Sequence, residues 1–140
     1  MLSLTAFCKS SNFDAGTPWI KNGWEYGTDG AILVRRPTTD PDNRNGRHLP
    51  NAAKLLDGPH NYQAEWPVPD GLSRDGKSIF APNSKVAGRT IAGGYALLIC
   101  LLGKVYYDPS GGPEEAIYFR AADGTEGAVM PLERSRHCAD

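Results

Sequence analysis

The sequence predicts an α+β fold: a single domain with a mainly antiparallel, curved sheet, one principal buried helix over residues 94–103, and short additional helices. Three observations carry the prediction. Two stretches, Trp24–Arg36 and Glu115–Pro131, each read as paired strands closing on an Asp-Gly dipeptide. Asp-Gly favours tight turns because both residues tolerate positive φ. Between them lies one apolar decamer, Gly94–Gly103, too long for a strand and bounded by glycines. Sixteen glycines and eleven prolines favour turns and short elements over long helices.

The 140 residues suit one domain, assigned to 1–132, with an exposed loop at 38–48 and a charged tail at 133–140. A formal charge of −1 excludes a global electrostatic drive toward nucleic acid or an anionic membrane, while leaving room for a local patch. Cys8, Cys100 and Cys138 are odd in number and far apart, which argues against a disulfide framework and for a reducing compartment. No apolar run has the length of a membrane span. Met1–Lys9 lacks the basic start and long apolar stretch of a signal peptide, so the expected location is cytoplasmic.

In chain order, Leu2–Lys9 reads as a short helix or strand with Leu4 and Phe7 facing the core, and Ser10–Gly16 as a polar loop. Trp19–Gly27 starts the sheet, with Asn22-Gly23 as a second turn candidate. Trp24/Tyr26 and Ile32/Val34 alternate with their neighbours at the period of a strand, and Pro37 ends the run by removing a donor. Thr38–His48 has no periodicity and several breakers, the pattern of an exposed loop. Pro50–Gly58 reads as a short helix capped by Asn51. Tyr62–Trp66 and Ser78–Ala81 read as short strands, and Lys85–Ile91 as an extended lead into the main helix. In that helix Tyr95, Leu98, Ile99 and Leu102 share a face; Leu97, Cys100 and Leu101 make the remainder apolar, so burial on most sides is expected. Gly103 suits its C-terminal cap, and Cys100 reads as a small buried hydrophobe. Lys104–Asp108, Glu115–Arg120 and Glu126–Pro131 then return as strands.

Catalytic and metal signatures are not found in the sequence. His48, His60, His137 and the cysteines lack metal-ligand spacing, and there is neither a Walker lysine nor a G-x-S-x-G. Glu114-Glu115 point opposite ways on a strand. Gly93-Gly94 precede a helix whose first amides can meet an anion, but glycines easing a tight helix entry explain them more simply. The reading is therefore no enzyme, no cofactor and no metal. Aromatic and arginine residues are favoured at protein contacts. This makes Trp19, Trp24, Tyr26, Arg35, Arg36, Arg44 and Arg47, around the first strands and the 38–48 loop, the candidate partner-binding residues.

Tyr26-Gly27-Thr28-Asp29-Gly30, followed by strand residues and Arg35, resembles the A-T-D-G-x-x-x-x-R stretch of DNA sliding clamps, the bacterial DNA polymerase III β-subunit class. Gly94-Tyr95-Ala96-Leu97-Leu98 through Leu102-Gly103 is similar to the clamp x-Y-L-x-x-x-L helix. Glu115–Phe119 followed by Ala128-Val129-Met130-Pro131-Leu132 resembles the hairpin that ends in V-M-P-M. The matching positions cover about half the chain. A clamp subunit carries several such domains and this chain has room for one; its long first helix is reduced here to Leu2–Cys8, and Thr38–Asn83 matches poorly. Clamps line their hole with basic helices that meet phosphates, whereas Gly94–Gly103 carries no Lys or Arg. The resemblance thus implies a single truncated clamp-like domain, bacterial or bacteriophage, that docks a protein partner of the replication or defence machinery. A phage inhibitor of a host nuclease complex is one such module. The alternatives are a homo-oligomeric DNA-associated clamp or processivity factor, and a small-ligand or nucleotide-binding protein using Gly93-Gly94.

Overall fold

The computed structural model describes residues 4, 18–43, 52–67, 73–74, 79–80 and 83–132. The chain is a small mixed α/β domain whose strands pair antiparallel throughout the described residues. In order the elements are β1 (Trp19–Lys21), β2 (Trp24–Thr28), β3 (Ile32–Pro37), α1 (Ala52–Leu56), β4 (Ala64–Glu65), β5 (Ser73–Arg74) and β6 (Ile79–Phe80). Then follow β7 (Ser84–Val86), β8 (Arg89–Ile91), α2 (Gly93–Cys100), β9 (Val105–Tyr107), β10 (Ile117–Ala121) and β11 (Glu126–Val129). Seven strands form the main sheet in the order β1-β2-β3-β11-β10-β9-β4, while β5–β6 and β7–β8 are separate ribbons.

Three turns close the sheet as the residues dictate. Asn22 (φ 52°) and Gly23 (φ 81°) form a two-residue turn with both centres left-handed, which matches the twist of β1 and β2. At Asp29-Gly30, Asp29 Oδ1 accepts the N–H groups of Ala31 (2.9 Å) and Ile32 (3.1 Å), while Gly30 takes φ 97°. Asp123-Gly124 repeats the device: Asp123 Oδ1 accepts the Thr125 N–H at 2.9 Å and Gly124 takes φ 93°. The β3–β11 seam joins the two halves; outward from it, β1 follows the β2–β3 hairpin on one side, and β9 and β4 follow the β10–β11 hairpin on the other.

One face of the sheet is covered by the main core and the other in part. One face presents Ile32, Val34, Val105, Ile117, Phe119 and Val129 to α2, Trp66 and the β7–β8 ribbon. The Trp66 indole donates to the Ala96 carbonyl at 3.3 Å, and Tyr95 O–H donates to Asp29 Oδ2 at 2.5 Å, tying α2 to the sheet and its first turn. The other face carries Trp19, Tyr26 and Leu33 under α1, which buries Ala52 and Leu56. Gly127 is required where the faces meet, because a Cβ there would overlap the Phe119 ring and lie 2.6 Å from the Leu33 carbonyl oxygen.

Two expectations need correction. Lys85–Ile91 is not an extended lead: it folds back as β7–β8, turning at Ala87 (φ 51°) and Gly88 (φ 77°). That ribbon lays Val86 and Ile91 on the core, which a straight segment could not do. Nor is the helix buried on most sides. It spans Gly93–Cys100, and its buried line is Gly93, Ala96 and Ile99; Leu101, just past its end, is 51% exposed. Tyr95, Leu98, Cys100 and Leu102 pack against the same core while staying partly exposed. Gly103 (φ 102°) completes the C-terminal turn as expected, and Cys100 is unpaired and half-buried. In the 38–48 loop, Thr38–Asn43 is tied to β1 and its turn: Asn43 exchanges hydrogen bonds with Ile20, and Asp42 accepts the Asn22 N–H at 2.9 Å. Residues 44–48, the Asn51 cap, Phe7 and the 133–140 tail lie outside the described residues. Among the described residues no helix is long and apolar enough to cross a membrane.

Candidate functional site

The registers line up one residue from each strand of the main sheet: Trp19, Tyr26, Arg35, Glu126, Arg120, Tyr106 and Glu65 stand directly opposite their neighbours in turn. Opposed residues in an antiparallel ladder share a face. The row therefore crosses the whole sheet, and it lies on the α1 side. Its aromatic end is packed shut, with Trp19 and Tyr26 stacked at 5.2 Å and 8° and each 3% exposed. Its ionic centre opens into a groove of about 410 Å³, whose lining includes Trp24, Pro37, Leu56, His60 and Tyr62.

Glu126 is the hub of the groove floor. One carboxylate oxygen, Oε1, accepts from Arg35 Nε (3.0 Å) and Nη2 (2.8 Å). The other, Oε2, accepts from Arg120 Nε (2.9 Å) and Nη2 (2.6 Å). Arg35 also reaches Asp57 Oδ1 at 2.7 Å and donates to the Tyr26 hydroxyl at 3.4 Å. Burial works against the Arg35 charge, but the hydrogen bonds to Tyr26, Asp57 and Glu126 outweigh it and hold the guanidinium above its ordinary pKa. Each guanidinium also lies over a ring: Arg35 over Trp24 at 4.1 Å, Arg120 over Tyr62 at 4.6 Å. Burial, and then the Glu126 charge, push the Tyr62 phenol upward, so it stays protonated and able to donate.

The wall at 58–62 is held in place by a second carboxylate. Asp108 Oδ2 accepts the Asn61 N–H at 3.1 Å and Oδ1 accepts the Ser110 N–H at 2.9 Å. Burial pushes Asp108 up, but these backbone donors more than reverse it, and the carboxyl sits below its usual range. His60 stacks on Tyr118 at 3.8 Å and 17°, with Nε2 3.2 Å from the Leu55 carbonyl oxygen. Helix α1 and the segment after it are thereby pinned along the groove.

Of the residues singled out in the sequence, Trp24 and Arg35 belong to this groove. Trp19 and Tyr26 lie beneath it in the packed core. Arg36 takes the opposite parity on β3 and donates through Nε to Thr125 Oγ1 at 3.1 Å. Arg44 and Arg47 lie outside the described residues. Asp57, His60, Tyr62, Arg120 and Glu126 were not singled out. Arg120 and Glu126 had a usable signal, since they face each other across the Asp123-Gly124 turn as a charge pair; the meeting with Arg35 depends on strand order and had none. At Gly93-Gly94 the Gly93 N–H already donates to Asn83 Oδ1 at 3.1 Å, which removes one of the donors an anion would use. Among the described residues no group of three or more His, Cys, Asp or Glu is arranged to hold a metal ion.

No family model, curated protein or solved structure matches the chain.

Proposed function

We propose that this chain is a non-enzymatic binding module, a single clamp-like domain that docks a protein partner through the groove between Trp24 and Tyr62. The observation that carries the reading is the groove itself. It is pre-formed, rimmed by aromatic side chains, and floored by arginines that are already oriented by Glu126. Pre-organised arginine and aromatic groups lose little freedom on binding, which is why such residues dominate protein interfaces. Both Glu126 oxygens are engaged by arginines, which suits scaffolding better than proton transfer. The clamp-like reading draws support from the succession of α2, β9, β10 and β11 ending at Met130-Pro131. The lack of Lys or Arg in α2 favours a protein partner over encircled DNA. A phage module acting on host replication or on a nuclease complex fits this description.

Affinity capture from bacterial lysate tests the proposal, run with wild type and Trp24→Ala and followed by light scattering of the eluate. The expected result is a protein captured at fixed stoichiometry by wild type and lost from the folded variant. A homo-oligomer of this chain with salt-dependent DNA affinity would overturn it in favour of the clamp reading.

A further inference from the structure

We infer that the group this groove recognises is a carboxylate, an Asp or Glu side chain of the partner protein, gripped end-on by Arg120 beside Tyr62. The inference rests on the docking proposal above and deepens it.

Hydrogen-bonding capacity on the groove floor is unevenly spent. Glu126 accepts two N–H groups on each oxygen, so its acceptor capacity toward a ligand is largely used. Arg35 is 4% exposed and spends its donors on Glu126, Asp57 and Tyr26. Arg120 differs. Its side chain is 54% exposed and it lines the groove. Only its Nε and one Nη2 hydrogen serve Glu126, both directed at a single oxygen. The Nη1 hydrogens and the second Nη2 hydrogen are left, and they form the terminal edge of the guanidinium plane, the geometry that grips a carboxylate through two parallel bonds. Glu126 holds that plane from behind, and Tyr62 stacks on it, so the edge is oriented before any ligand arrives. Tyr62, its phenol kept protonated, lines the same groove. Trp24 and Pro37 supply apolar surface for a residue next to the acid. The arrangement suits an acidic residue beside a bulky apolar one; the exposed carboxylate in the same lining, Asp57, is already engaged by Arg35 through Oδ1.

Selection from a displayed random-peptide library tests this, using wild type for selection and three readouts by titration calorimetry: Trp24→Ala, Arg120→Lys, and each peptide with its acid changed to the amide. Arg120→Lys keeps a cation for Glu126 and so protects the fold, but it removes the terminal guanidinium edge; amide NMR spectra verify folding. The expected result is enrichment of Asp or Glu next to an apolar residue, with binding weakened about tenfold or more by Arg120→Lys and by the acid-to-amide change. Peptides that depend on Trp24 but carry no acid and ignore Arg120→Lys would overturn the carboxylate assignment while leaving docking at the groove intact. A selection yielding no Trp24-dependent peptide would overturn both.

Discussion

Changing Glu126 to Gln keeps the side-chain shape and deletes its charge, and the consequence is set by what Arg35 has left. Glu126 is 5% exposed and Arg35 4%. Without the anion, Arg35 keeps the neutral Tyr26 hydroxyl and Trp24 ring, and its charged partner is Asp57, whose side chain is 63% exposed and therefore screened by water. Breaking a buried ion pair by removing one member costs about 3–5 kcal/mol, because the other charge stays behind without compensation. Arg120 adds little to that figure, since at 54% exposure it can turn to solvent, where pairs are worth about 0–1 kcal/mol. The expected loss is thus about 3–4 kcal/mol, a large fraction of the roughly 5–15 kcal/mol that holds a domain folded. Urea unfolding at neutral pH, followed by circular dichroism, reads it as a midpoint lowered by about 1.5 M at an ordinary denaturant slope. Asp57→Asn should cost less than about 1 kcal/mol, because that carboxylate is exposed. The double change Arg35→Met, Glu126→Leu should recover most of the loss, since a well-packed apolar pair avoids the desolvation of both ions. A Glu126→Gln variant within about 1 kcal/mol of wild type at unchanged slope would refute this account of the groove floor.

Packing and charge elsewhere in the fold set four further outcomes. Gly127→Ala should destabilise by about 1–3 kcal/mol, because the new methyl overlaps the Phe119 ring and the Leu33 carbonyl, and a thermal melt beside wild type would show it. Ile99→Ala should cost about 2–5 kcal/mol while Leu101→Ser stays within about 0.5 kcal/mol, since Ile99 is fully buried and Leu101 half exposed; equal losses in urea would mean the helix is seated otherwise. Burial, then the bond to Asp29, raise the Tyr95 phenol far above its ordinary value, so its stabilisation is complete below an unfolded pKa of about 10 and is lost as pH rises through the folded value. Phenolate absorbance should show that Tyr95→Phe removes the latest-ionising tyrosine. Asp108 is shifted the other way: its contribution is present above the unfolded value of about 3.9 and is lost as pH falls through the lowered folded value, so Asp108→Asn should flatten the acid limb of the stability curve below about pH 4.

The parts of the fold legible in the sequence are those that local chemistry decides. Asp29-Gly30, Asp123-Gly124 and Asn22-Gly23 announce turns because each supplies a left-handed residue or an aspartate that caps its own backbone, and all three are turns. The apolar decamer announces a helix by length. The face of Tyr95, Leu98, Ile99 and Leu102 does pack on the core, Ile99 fully and the others in part, while the apolar residues on the remaining sides carry no signal of how far they are buried. Ala96 lies on the buried line as well, 1% exposed, and no local pattern marks an alanine as core. Ala87-Gly88 concealed the β7–β8 turn, since alanine at φ 51° is not a turn signal and only the surrounding packing enforces it.

The site was harder to read than the fold, and the β3–β11 seam explains why. Alternation along Trp24–Thr28 and Ile32–Pro37 places Trp24 and Arg35 on a common face, and the hairpin across Asp123-Gly124 does the same for Arg120 and Glu126. Joining the halves requires pairing residues ninety-one positions apart, about which local pattern is silent. The seam matches Ile32 with Val129, Leu33 with Ala128 and Val34 with Gly127. Those apolar and small pairs discriminate poorly between this register and one displaced by two residues, because such a slip returns every side chain to its own face. Arg35 opposite Glu126 does discriminate: displaced by two, Arg35 faces Ala128 or Gly124 and loses its in-line carboxylate. A buried ion pair adds little net stability over an apolar pair, but it raises the energy of the alternatives. The charge pair that orients Arg120 in the groove is therefore also the feature of the seam that most distinguishes one register from the next.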